Sequence, residues 1–223
     1  MGDLVINGGD VGLDVGNQQF TVRNVTINGS NTGVKMAWNW GWNCQGITIN
    51  NAQVGFEVVS IDLVGGLAII DAVVRDTPVF YQSPNASTQL NSSLVLNNIR
   101  TTNVSTIVGV LGGEPVLVGS TGDMHIDTWV QGNVYVGHDS EGDFTQDYIK
   151  SISKDQSLLK DGRIFGKGRP MYADYDLSQI VSVRDHGATG DGHTDDTDAL
   201  QDIFDKVRSD VSSLLPSYLT RLR

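Results

Sequence analysis

The chain has 223 residues and carries 15 Lys+Arg against 26 Asp+Glu, a formal charge of -11. That balance argues against a phosphate backbone or an anionic membrane surface as partner, because both would repel it. Its 39% hydrophobic and 18% charged residues suffice for a core, and 26 glycines with abundant asparagine point to many tight turns, hence to β-structure. No basic-then-apolar leader opens the chain, and no apolar run approaches the length of a membrane span. Met1 leads directly into a strand-like stretch, Asp3-Leu-Val-Ile-Asn-Gly-Gly. The true start of the protein is therefore expected upstream.

Apolar residues closed by Asn or Asp then recur: Leu4-Val-Ile-Asn-Gly, Val25-Thr-Ile-Asn-Gly, Ile47-Thr-Ile-Asn-Asn, Ala68-Ile-Ile-Asp-Ala and Leu94-Val-Leu-Asn-Asn. Their last apolar residues, Ile6, Ile27, Ile49, Ile70 and Leu96, are spaced by 21, 22, 21 and 26 residues. Seven residues after the first three stand Leu13, Val34 and Phe56, each preceded by glycine (Gly12, Gly33, Gly55). Two motifs locked to one period predict a solenoid with one rung per repeat. The Leu-x-x-Leu-x-Leu frame of leucine-rich repeats is absent, so the fold expected is all-β, a right-handed parallel β-helix. Its bore would hold Ile6, Ile27, Ile49 and Ile70 in one column, with Asn7, Asn28, Asn50, Asp71 and Asn97 as a side-chain ladder. The longer last interval places an insertion at Tyr81-Gln-Ser-Pro-Asn-Ala-Ser.

Later strand-like runs, Val116-Leu-Val-Gly, His125-Ile-Asp-Thr-Trp-Val and Asn133-Val-Tyr-Val-Gly, lose the period. Residues 145–180 are polar and form a connector too long for an ordinary loop. After them a short strand from Val181 runs into a turn with Gly187, Gly190 and Gly192. Thr194, Asp195 or Thr197 can then cap a helix, with acidic side chains at its positive end. Four segments follow: a β-helix at 1–144, the connector at 145–180, a strand and capping helix at 181–207, and an atypical tail at 208–223.

Trp38, Trp40 and Trp42 alternate with polar residues, so on a flat strand all three share a face. Indole faces stack on sugars, and three indoles would overfill a narrow bore; these tryptophans are the candidate substrate contacts. Gln18 and Gln19 are candidates for holding a water or a sugar hydroxyl, since an amide both donates and accepts. Adjacent on a strand, only one of them can face a cleft. Five N-x-Ser/Thr sequons, at Asn24, Asn28, Asn85, Asn91 and Asn103, suggest a secreted glycoprotein. Asp191, Asp195, Asp196 and Asp198 fail the EF-hand pattern and fit helix capping. His125, His138, His186 and His193 lack metal-protease spacing, no dinucleotide fingerprint occurs, and neither metal nor cofactor is expected. Cys44, the one cysteine, sits in a strand as a buried thiol.

The run Gly187-Ala-Thr-Gly-Asp-Gly-His-Thr-Asp-Asp-Thr resembles the opening motif of the pectate-lyase-like β-helix superfamily. With Gly16-Asn-Gln-Gln-Phe, Trp38-Asn-Trp-Gly-Trp-Asn-Cys and His125-Ile-Asp-Thr-Trp-Val, the chain is similar to the two-β-helix exo-β-1,3-glucanases of glycoside hydrolase family 55. That resemblance implies a secreted enzyme that removes glucose from the end of β-1,3-glucan with inversion. Gln18 or Gln19 would then help place the hydrolytic water, while the general acid would be a glutamate of a second β-helix that this chain does not reach. None of Glu57, Glu114 and Glu141 matches that acid. The first β-helix would be present in its later rungs and the second in its opening, so the chain alone is expected to be inactive. Two alternatives stay open: a noncatalytic polysaccharide-binding or structural β-helix module, and a pectin-type enzyme. Against the latter, only Arg23 and Lys35 are basic among residues 1–70.

Overall fold

The computed structural model describes residues 2–88, 92–138, 141–151, 153–164, 175–176 and 180–206. The sequon at Asn91 and the tail at 208–223 lie outside them. The chain forms two compact units, Met1–Arg169 and Pro170–Arg223.

The first unit begins with β1 (Gly2–Asn7), β2 (Val11–Asn28) and β3 (Thr32–Asn50), each parallel to the one before. On β3 lie the shorter strands β4 (Val54–Val58), β5 (Gly66–Ile70) and β6 (Val73–Arg75). β7 (Val79–Ser83) and β8 (Ser93–Val110) complete the stack, all pairings being parallel. The fold is therefore a parallel β-helix. One inward column runs Leu13, Val34, Phe56, Tyr81, Val108, as the second repeated motif predicts. Glycine precedes its first three members because rungs approach closely there. A Cβ on Gly12 would lie 2.6 Å from the Gly33 carbonyl oxygen, and one on Gly33 equally close to that of Gly55.

The isoleucine column needs a correction. Ile6, Ile27 and Ile49 do stack, but Val74 and then Thr101 continue the column. Ile70 instead pairs with Gln45 and Asn97 outside the bore. The ladder shifts with it: Asn28 donates to Asn7 and Asn50 donates to Asn28, each at 2.8 Å, and Arg75 rather than Asp71 comes next. The physical reason is that each rung has two similar corners. One holds Gly8, Gly29, Asn51, Asp76 and Asn103; the other holds Asp3, Asn24, Gly46, Asp71 and Asn98, and all ten have positive φ. Glycine, asparagine and aspartate tolerate that conformation best, so an apolar-then-Asn/Asp signature marks either corner. Asp71 belongs to the second, where Asn98 donates to it at 2.6 Å. Asn97 donates to the Thr128 hydroxyl at 2.8 Å.

The period fails beyond Val110 because the chain reverses. β9 (Leu117–Val134) runs antiparallel along β8, and β10 (Asp143–Tyr148) antiparallel along β9. Ile126 and Trp129 of β9 are buried in the core, so this hairpin covers the last parallel rung and its otherwise open edge. Part of the connector forms a two-stranded hairpin, β11 (Leu159–Lys160) and β12 (Arg163–Ile164). Asp71 fastens it to the solenoid, accepting from the Ile164 amide at 2.9 Å, and Asn98 donates to the Gly162 carbonyl at 2.9 Å.

In the second unit no strand forms at 181–183 among the described residues; a 3-10 turn spans Arg184–His186. Val181 and Val183 are exposed and have no neighbouring strand, the condition a strand requires. The glycine turn follows, then helical residues 197–206. Each carboxylate of the acidic run works locally. Asp191 accepts from the amides of His193 and Thr194, Asp195 from the Thr197 amide, and Asp196 from those of Thr189 and Gly190. Of the four aspartates expected to cap the helix, Asp195 does so, whereas Asp191 and Asp196 hold amides of the turn before it and Asp198 lies within it.

Candidate active site

β3 wraps the bore instead of lying flat. Its inward residues are Met36, Asn39, Trp42 and Cys44, so the in–out alternation lengthens to three residues on either side of Asn39. A register shift between Val15 and Gly16 of β2 leaves Ala37 as the extra residue. The three tryptophans therefore do not share a face. Trp38 and Trp40 point outward, 39% and 64% exposed, while Trp42 fills the bore at 6%. Its indole Nε1 donates to the Asn17 carbonyl at 3.0 Å, and its ring lies 5.3 Å from that of Phe20.

The same bend governs the glutamines. Asn17 pairs with inward Asn39 and Phe20 with inward Trp42, so Gln18 and Gln19 occupy the two outward positions between them. Both are exposed, yet only one of them faces the cleft. Only Gln19 lines the groove on the outer face of β2, β3, β5 and β8, a cleft of about 630 Å³. Gln18 is exposed one residue from the groove.

Gly41 and Gly66 keep this groove shallow beside Gln19, and Thr21, Asn43, Ala68, Ser93 and Val95 complete its outward wall. Among the described residues no ionisable side chain lines it. The Oδ1 of Asn43 is buried there with no hydrogen-bond partner. A buried acceptor left unpaired is destabilising by about 1–3 kcal/mol, and this one lies beneath the groove surface rather than on it. Asn43 and Ser93 were not among the sequence candidates. The signal for Asn43 was its place between inward Trp42 and Cys44, legible only once the bend is known. Cys44 itself is in the core, where burial pushes its thiol up to about 12.

The sequon asparagines divide by environment. Asn24, Asn28 and Asn103 each spend their amide nitrogen on the residue one rung earlier, Asp3, Asn7 and Asp76 respectively. Asn85 is exposed in the loop after β7.

Residues 1–57 match the family model for rhamnogalacturonase A/epimerase, pectate lyase-like. The likeness covers the opening rungs of the parallel β-helix described above. A glucan 1,3-beta-glucosidase of Cochliobolus carbonum is 38% identical over 209 residues, which cover 90% of this chain and 26% of that relative. The resemblance to the glycoside hydrolase family 55 glucanases thus holds along most of the chain. A probable glucan endo-1,3-beta-glucosidase of Arthroderma benhamiae is 26% identical over 311 residues, covering 94% of this chain and 35% of the relative. A non-secreted LysM effector of Penicillium expansum is 28% identical over 230 residues, 96% of this chain and 18% of the relative. The chain spans about a quarter of the length of the first of these relatives.

Proposed function

We propose that this β-helix supplies one wall of a β-1,3-glucan hydrolase that releases glucose from the chain end with inversion. The observation that carries the reading is a groove lined by Gln19, Thr21, Asn43 and Ser93 with no ionisable side chain among the described residues. A neutral sugar presents hydroxyls to such polar neutral groups and brings no charge to compensate. Trp40, exposed next to groove-lining Gly41, offers an indole face to the same ligand, and Gln19 can orient a water or hydroxyl. Inverting hydrolysis also needs a protonated carboxylic acid across the scissile bond. None lines this groove, so the acid must come from a second wall.

The test is affinity for laminari-oligosaccharides. Asn43→Ala and Trp40→Ala should each weaken binding, by about 1 kcal/mol, in line with one hydrogen bond or one aromatic contact. Unchanged affinity in both variants would contradict the reading. A noncatalytic glucan-binding module is favoured by the groove's lack of any titratable group. Glucose release from laminarin by a longer chain that includes a second β-helix, but not by its Gln19→Ala variant, separates the two. Secretion and glycosylation belong to the same proposal. Asn85 is the best-placed sequon, and Asn85→Gln should abolish the glycosidase-sensitive mass of secreted protein.

A further inference from the structure

We propose a second carbohydrate site at the solenoid corner that β11 and β12 complete, one that binds the oxyanions of an acidic polysaccharide. Although the chain carries a charge of -11, five of its cations, Arg23, Arg75, Arg100, Lys160 and Arg163, meet there. They line two adjoining clefts of about 400 Å³ and 450 Å³ that share Arg100 and Arg163. Arg23 comes from β2, Arg75 from β6 and Arg100 from β8, whereas Lys160 and Arg163 arrive on the hairpin. The hairpin is positioned, since Asp71 is only 3% exposed and both its oxygens are engaged, by Asn98 and by the Ile164 amide.

None of the five forms an ion pair among the described residues; Arg75 reaches only the Asn50 amide oxygen, at 3.5 Å. Uncompensated guanidinium groups placed side by side are matched to planar carboxylates or tetrahedral phosphates, which they grip bidentately. The rest of the lining selects a glycan over a denser polyanion. Three carboxylates, Asp71, Asp123 and Asp161, lie among the cations, and a closely spaced run of phosphates would meet them as repulsion. Sugar hydroxyls between widely spaced anionic groups meet them as acceptors. Gln45 and Asn24 add amides along the same path. The site shares no lining residue with the Gln19–Asn43 groove, so it stands or falls apart from the glucan reading.

The experiment is calorimetric titration of the whole chain at low salt with polygalacturonate, which supplies carboxylates, with a phosphomannan, which supplies phosphates, and with neutral laminarin. At least one acidic glycan should bind, and the tighter of the two names the oxyanion. Joint substitution R100Q/R163Q should weaken that binding at least about tenfold, as loss of two charge-assisted contacts implies, and leave laminarin unaffected. Salt at about 0.5 M should weaken it likewise. R23Q, on β2 rather than on the hairpin, should weaken it by a smaller factor and carries the test if the double variant misfolds. No binding of either acidic glycan, or equal binding by the wild-type chain and these variants, overturns the proposal.

Discussion

A side chain removed from the bore leaves a cavity that the rungs cannot close, because ladder hydrogen bonds on both sides fix their spacing. Ile49 is fully buried between Ile27 and Val74. Ile49→Ala should therefore lower unfolding free energy by roughly 3 kcal/mol, measured by urea denaturation. Ile70→Ala, outside the bore, should change it by less than about 1 kcal/mol. Equal effects would place the two isoleucines in one column and contradict the register. Cys44 gives a second check. Burial holds its thiol neutral up to about pH 12, so it should resist a disulfide reagent at pH 8 until the chain unfolds. The sign is that of any group with a raised value. Its contribution is intact below about 8.5, where an unfolded thiol titrates, and declines as pH rises toward the folded value. At this scale the period and the glycines preceding Leu13, Val34 and Phe56 were legible, because close rung contact leaves no alternative residue. Ile70 was misassigned because Asp71 serves a different corner from Asn50 yet follows the same kind of apolar residues.

Among elements, the Gly187–Gly192 turn depends on carboxylates fixed by nearby amides. The Thr194 and His193 amides and the Thr194 hydroxyl hold the Asp191 carboxyl down to about 2. Its contribution is thus complete above about pH 4, where an unfolded aspartate titrates, and disappears as pH falls through about 2. Carbon-detected NMR titration should find Asp191 ionised at pH 3; an ordinary value near 4 would show the turn to be unformed. The capping role of Asp195 could be seen in the sequence because caps are local chemistry, whereas the hold of Asp191 and Asp196 on the glycine turn was read as capping too. The antiparallel return of β9 could not. His125-Ile-Asp-Thr-Trp-Val has the composition of any strand, and strand direction depends on the partner edge that β8 leaves open. The bend at Asn39 was hidden for a similar reason. Alternating Trp38, Trp40 and Trp42 implied a flat strand, whereas the bore forces inward positions three apart.

At the scale of the molecule, two outer surfaces of opposite character emerge from one solenoid. The face around Gln19 and Asn43 is neutral and shallow, and the corner around Arg100 and Arg163 is cationic. A neutral glucan should recognise the first and ignore the second. Of the sequence candidates, Gln19 lines the neutral groove as an exposed residue and Trp40 stands exposed next to groove-lining Gly41, while Trp42 contributes from the core side. Backbone-amide NMR of the whole chain titrated with laminarihexaose tests the central claim most directly. The expected result is a set of saturable shifts at Gln19, Asn43, Gly66 and Ser93 and at the Trp40 indole, with Arg100 and Arg163 unmoved. Shifts confined to the cationic corner, or none at saturating ligand, would contradict a glucan site on this wall of the β-helix.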